Sequence, residues 1–127
     1  MDLVALVTAL IVLEYFVFTM LVGAARGKSK IQPPVMTGDP RLERALRVQG
    51  NTLEQLAVVI PSMWLFAMYQ SEMWAAVLGL IFCLGRALYA KQYMSDPATR
   101  APGFIVGFLA AIIMLIGSLY AIIMRLI

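Results

Sequence analysis

From Leu3 to Ala25 the chain runs apolar for about 23 residues, roughly 34 Å of helix at 1.5 Å per residue, with one charged side chain, Glu14, inside it. A run of that length crosses a hydrocarbon core of about 30 Å, whereas a small soluble domain has nowhere to bury it. Three further apolar runs follow. In lipid each must satisfy its own backbone hydrogen bonds, and the helix is the segment that does so. The spans read as about 3–25, 42–69, 73–93 and 103–124 of a single domain. The loop from Pro33-Pro34 to Pro40 and the turns Gln70-Ser71-Glu72 and Ser95-Asp96-Pro97 join them, and such short connections make successive helices antiparallel. The expected architecture is an all-α membrane protein, an antiparallel bundle of four transmembrane helices.

Composition supports this class and narrows the partners. Hydrophobic residues are 62% of the 127, charged residues 13%, and the mean hydropathy is +0.88. A net charge of +3 is small, and the basic residues lie in connections and not in a stripe, so a nucleic-acid partner is not expected. With no histidine and one cysteine, Cys83, neither an internal disulfide nor a metal site built on these residues is expected. Asp2, in place of a basic leader, makes the first run a retained helix. Arg26, Lys28, Lys30 and Arg41 crowd the first connection, Lys91 and Arg100 flank the third, and the second carries only Glu72. The positive-inside bias then puts both termini outside and the basic loops on the cytoplasmic side, with Arg125 dissenting.

The second span is the informative one. Its purely apolar part, Leu56 to Tyr69, gives about 14 residues or roughly 21 Å, too short to cross alone. The turns carrying Arg47, Asn51 and Glu54 must therefore reach membrane depth or its interface. At 100° per residue Asn51 falls about 40° and Glu54 about 340° from Arg47, one narrow face; on the third span Arg86, Tyr89 and Tyr93 fall near 0°, 300° and 340°. Adjacent polar faces should meet each other and not lipid. Antiparallel packing brings Tyr89, Tyr93 and Arg47 to one level, and Arg100 returns to it. The result is a cationic, phenol-lined cleft on the cytoplasmic side, suited to a small anionic or zwitterionic ligand: arginine forks onto carboxylates, Glu54 accepts from an amine, and Asn51 does both. The plainer reading makes Arg47 and Glu54 a structural ion pair and the tyrosines interfacial belt residues. Glu14, which costs about 3 kcal/mol as a mid-span charge, and the deeper Arg86 are structural ion-pair candidates, with Glu14 or Glu54 as partner for Arg86. Gly103, Gly107 and Gly117, with Ala110 and Ala111, predict close helix approach on the fourth span.

The pattern Glu43-Arg44-x-x-Arg47-x-Gln49-x-Asn51-x-x-Glu54 follows Gln32-Pro33-Pro34 and Thr37-Gly38-Asp39-Pro40 and precedes Arg86-x-x-Tyr89-x-x-x-Tyr93 and Arg100. Together these resemble the signature of the membrane-associated proteins in eicosanoid and glutathione metabolism. The resemblance implies a homotrimer that uses glutathione as co-substrate, without a metal, against lipophilic small molecules arriving from the bilayer. By position it implies glutathione contacts at Arg47, Asn51, Glu54, Tyr89 and Tyr93, contacts given to a neighbouring subunit by Arg26 and Gln49, and a catalytic, thiol-activating Arg100. The implied activity is that of a glutathione transferase or glutathione peroxidase. Gln55 departs from leukotriene-forming members, which carry a tyrosine there. Two alternatives stand beside it: a non-catalytic thiol- or lipid-binding protein of the same fold, and a small transporter or channel subunit built on Glu14 and Arg86.

Overall fold

A computed structural model describes residues 1–127. Four helices account for nearly all of them: α1 (Asp2–Ser29), α2 (Pro40–Tyr69), α3 (Glu72–Ser95) and α4 (Ala101–Leu126). Each is long and apolar enough to cross a membrane. The centre of the bundle is the α2–α3 pair; α1 packs against both on one side and α4 against both on the other. The core between them is Val4, Val7 and Ile11 of α1, Val59 and Met63 of α2, Phe82 of α3 and Met114 of α4. Leu13, Phe16 and Met20 on α1 and Ile105, Leu109 and Ile116 on α4 are exposed, as befits a surface whose solvent is lipid.

The helix ends explain where the chain turns. α1 continues past Ala25, so Arg26 and Lys28 belong to its last turn, where cations face the negative end of the helix dipole. Lys30, at φ 58°, ends it in the left-handed conformation. Asp39 opens α2 by accepting from the backbone N–H groups of Arg41 and Leu42 at 2.8 and 3.2 Å, with Pro40 in the first turn, where its missing N–H costs nothing. α2 then runs unbroken through Pro61, so the turns bearing Arg47, Asn51 and Glu54 are one continuous helix with the apolar part. Ser71 caps α3 through the Trp74 N–H.

Small residues bring α3 and α4 together. A methyl group on Gly103 would collide with the backbone of Tyr89, and one on Gly85 would lie 2.8 Å from the backbone nitrogen of Gly107. Dispersion between backbones at that range is what holds helices together in lipid, where water supplies no hydrophobic force. The same crossing fixes Tyr89 against the first turn of α4.

Candidate functional site

A cavity of about 570 Å³ lies at the end of the bundle where α2 begins, α3 ends and α4 begins. α2 contributes Arg47 and Asn51, α3 contributes Tyr89 and Tyr93, and the α3–α4 link contributes Ala98 and Arg100. The α4 wall is apolar: Ala101, Phe104 and Ile105, the last half exposed on the flank of the bundle. No carboxylate lines it. Two guanidiniums and an amide facing one hollow, with an apolar wall opposite, suit an anionic polar ligand beside a lipophilic one.

Each polar side chain is held for a traceable reason. Asp96 caps the short 3₁₀ turn Pro97–Thr99 through the Ala98 N–H, and Thr99 Oγ1 donates to the carbonyls of Asp96 and Gln92 at 2.7 and 3.2 Å. That turn ends in Arg100, whose Nη1 donates to the Pro97 carbonyl at 2.8 Å, leaving the remaining donors of its fork for the cavity. Gln92 Oε1 accepts from the Gly103 N–H, and Arg44 Nη1 donates to the carbonyls of Met94 and Ser95 at 3.0 and 3.3 Å, so the end of α3 is tied to both α2 and α4.

Beneath the cavity lies Arg86, the largest fully buried side chain. Its Nη2 donates to Asn51 Oδ1 at 2.8 Å and to Thr52 Oγ1 at 2.9 Å, and its guanidinium carbon stands 4.1 Å from the Tyr89 ring centre. With its oxygen engaged by a cation, Asn51 has its amide N–H groups to present to the cavity. It is thereby set as a donor. The rings continue the arrangement: Tyr89 to Tyr93 at 5.6 Å, Tyr89 to Phe104 at 6.2 Å, and Phe104 stacked on Phe108 at 5.9 Å.

The expected site residues divide into four groups. Arg47, Asn51, Tyr89, Tyr93 and Arg100 line the cavity together. Glu54 does not line it; it stands beside Arg47 at 3.6 Å with both side chains more than half exposed. Arg26 and Gln49 lie elsewhere on the protomer: Arg26 Nη1 closes the first loop on the carbonyls of Ile31 and Val35, and Gln49 Nε2 donates to Thr19 Oγ1 across the α1–α2 seam. Arg86 forms no ion pair within 4 Å with Glu14 or Glu54; neutral oxygens of α2 satisfy its Nη2 instead. Sequence reasoning did not single out Thr52, Phe104 or Ile105. A buried guanidinium needs several acceptors, which was a usable signal for Thr52; the α4 wall residues look like any other apolar span residue.

The model of the MAPEG family matches residues 4–120. An uncharacterised protein of Synechocystis is 46% identical over 122 residues, covering 96% of this chain and 89% of that protein. Human microsomal glutathione S-transferase 2 is 35% identical over 118 residues, covering 92% of this chain and 80% of that protein. Leukotriene C4 synthase of Cavia porcellus is 36% identical over 98 residues, covering 77% of this chain and 65% of that protein.

Proposed function

The chain belongs to the MAPEG family, and on that premise we propose that this integral, multi-pass membrane protein is a glutathione transferase acting on lipophilic electrophiles, with peroxidase chemistry open to the same thiolate. The observation that supports it is the convergence of Arg47, Asn51 and Arg100, all offering N–H donors, on one hollow with an apolar far wall. Glutathione is a tripeptide with two carboxylates, an amine and a thiol. Arg47 and the Asn51 amide take carboxylate or peptide oxygens, the rings of Tyr89 and Tyr93 flank the peptide, and Glu54, outside the cavity lining but beside Arg47, takes the amine where the ligand extends past Arg47.

Arg100 is the catalytic group of this reading. A free thiol ionises near pH 8.5, so only a few per cent is thiolate at neutral pH, and the thiolate is the nucleophile. A guanidinium that stays charged and lies within hydrogen-bonding reach of the sulfur favours the ionised form, each pKa unit of depression corresponding to about 1.4 kcal/mol. The thiolate then attacks an electrophilic carbon; the C–S bond forms as the leaving group or opened ring takes the electron pair and, from solvent, a proton. Attack on the terminal oxygen of a hydroperoxide instead forms an S–O bond as the O–O bond breaks; the alkoxide leaves as an alcohol on taking a proton, and a second glutathione reduces the resulting sulfenic acid, giving glutathione disulfide and water. In both cases the second substrate enters past Phe104 and Ile105, directly from the bilayer where it dissolves.

The assembly belongs to the same proposal: a homotrimer in which Arg26 and Gln49 serve the neighbouring protomer's site, oriented with both termini outside and the cavity at the cytoplasmic side. Calorimetric titration with glutathione tests the site. Wild type should bind, and Arg47→Ala and Glu54→Ala should bind at least several-fold more weakly, since each removes a charge-assisted contact of about 1.5–3 kcal/mol. Equal heats for all three proteins would remove the site from consideration. The binding-only reading is separated by turnover of an aromatic electrophile, which it does not allow.

A further inference from the structure

Two buried polar side-chain atoms make no hydrogen bond: Glu14 Oε1 and Arg86 Nε. They are an acceptor and a donor, and they sit on helices that pack together. Glu14 lies on α1 between the buried Ile11 and Phe18, on a helix that packs against α3, and Cys83 and Arg86 are the α3 groups near enough to interact with it electrostatically. Arg86, 1% exposed, is the group that grips Asn51 and Thr52 and underlies Tyr89. Neither Glu14 nor Arg86 lines the cavity, yet two of the residues Arg86 touches do.

Stability gives no reason to keep this arrangement. An acid at mid-span costs about 3 kcal/mol on insertion scales, and an apolar pair of similar volume in place of a buried acid and base is often neutral or stabilising. Orientation gives one. On the α2 side both hydrogen bonds of Arg86 run through Nη2, and its Nε has no partner. A carboxylate on α1 attracts the guanidinium through space, and the position of the guanidinium bears on which way the Asn51 amide points and how the Tyr89 ring lies.

We propose that Glu14 is a positioning residue of the cavity: acting through Arg86, it fixes the Asn51 amide and the Tyr89 ring, and so governs how tightly the polar co-substrate is held without touching it. The inference rests on the reading of the cavity as a glutathione site. It assigns α1, which lines no part of the cavity in its own protomer, a part in glutathione affinity.

The test is a set of variants assayed for glutathione-dependent turnover: Glu14→Gln, Glu14→Asp, Arg86→Lys, and Glu14→Gln with Arg86→Lys. The KM for glutathione should rise about five-fold in Glu14→Gln and in Arg86→Lys while kcat at saturation stays within about two-fold, and the double variant should be no worse than the poorer single one, because both break one link. Glu14→Asp should recover most of the affinity; should Glu14→Gln fail to fold, Glu14→Leu takes its place, with the same rise in KM expected and a wild-type KM overturning the proposal. A wild-type KM in Glu14→Gln, or effects that multiply in the double variant, would overturn the proposal. If the wild-type protein neither binds nor turns over glutathione, the functional reading has failed by itself. Melting temperatures of Glu14→Gln, Asn51→Ala and their combination then decide this one: shifts that do not add support coupling through Arg86, and shifts that add refute it.

Discussion

At the end of the bundle where α2 turns into α3, polar side chains finish helix ends. Gln70 Nε2 donates to the Gly117 carbonyl at 2.9 Å, Ser71 caps α3, and Glu72 Oε1 accepts from the Leu3 N–H at 3.2 Å. Deeper in, Trp64 Nε1 donates to Thr8 Oγ1 at 3.0 Å, and that hydroxyl donates onward to the Val4 carbonyl. At the cavity end, Arg44, Gln92 and Thr99 do the same structural work, but Arg47, Asn51 and Arg100 keep donors free and aim them at one hollow. The two ends belong to the same helices. They differ in uncommitted hydrogen-bonding capacity, which is costly where water is excluded and is what the proposed ligand would satisfy.

The largest effect that would sharpen this contrast is in turnover. Arg100→Ala should lower glutathione-dependent kcat about 10²- to 10³-fold, the usual consequence of deleting one group that stabilises a developing or reacting anion. Its pH profile should also move. With Arg100 present the bound thiol should ionise below its free value, so that activity is reached at lower pH; without it, activity should keep rising toward about pH 8.5, where the free thiol ionises. An Arg100→Ala enzyme with wild-type kcat and profile would leave the cavity end as a binding site only.

The next effect compares two glycines of α4. A methyl group at Gly103 meets the Tyr89 backbone, which cannot yield without moving α3; one at Gly117 would lie 2.6 Å from Cε2 of the Phe66 ring, which can turn aside. Gly103→Ala should cost about 1–3 kcal/mol in thermal unfolding and lose glutathione binding with it, as expected for overpacking against backbone. Gly117→Ala should cost less and leave binding intact. Equal losses of binding would mean that the ends are not separate in function.

Most of the fold was legible because membrane thickness is a ruler: the four apolar runs and the proline- and serine-marked turns allow few other arrangements. The missing length of the second run also carried real information, since it required Arg47, Asn51 and Glu54 to share one continuous helix with the apolar part. What periodicity could not supply was the boundary of the packed face. Asn51 and Glu54 lie about 60° apart on either side of Arg47, and the α2–α3 contact takes in the first and stops short of the second. So Asn51 is 7% exposed and bonded to Arg86, while Glu54 stays outside the cavity. Arg86 illustrates the other limit. Charge complementarity pointed to an acid, but the hydrogen bonds go to Asn51 and Thr52, because what lies within reach depends on the helix crossing and not on charge alone. The apolar wall of Phe104 and Ile105 left no mark in the sequence that distinguishes it from lipid-facing residues.

The smallest predicted effect is the one that isolates the two ends. Gln70 is exposed, and its bond to the Gly117 carbonyl ties α2 to α4 at the end away from the cavity. A neutral hydrogen bond that water can replace contributes about 0.5–1.5 kcal/mol, so Gln70→Ala should lower stability by about 1 kcal/mol or less. Gln70 stands about 28 Å along α2 from Asn51 at 1.5 Å per residue, far beyond the 7–10 Å over which substitutions usually couple. The KM for glutathione should therefore be unchanged in Gln70→Ala, raised in Asn51→Ala, and in the double variant equal to that of Asn51→Ala. A Gln70→Ala enzyme whose KM shifts as far as that of Asn51→Ala would show α2 transmitting strain along its whole length. The affinity of the cavity would then belong to the bundle and not to the residues that line it.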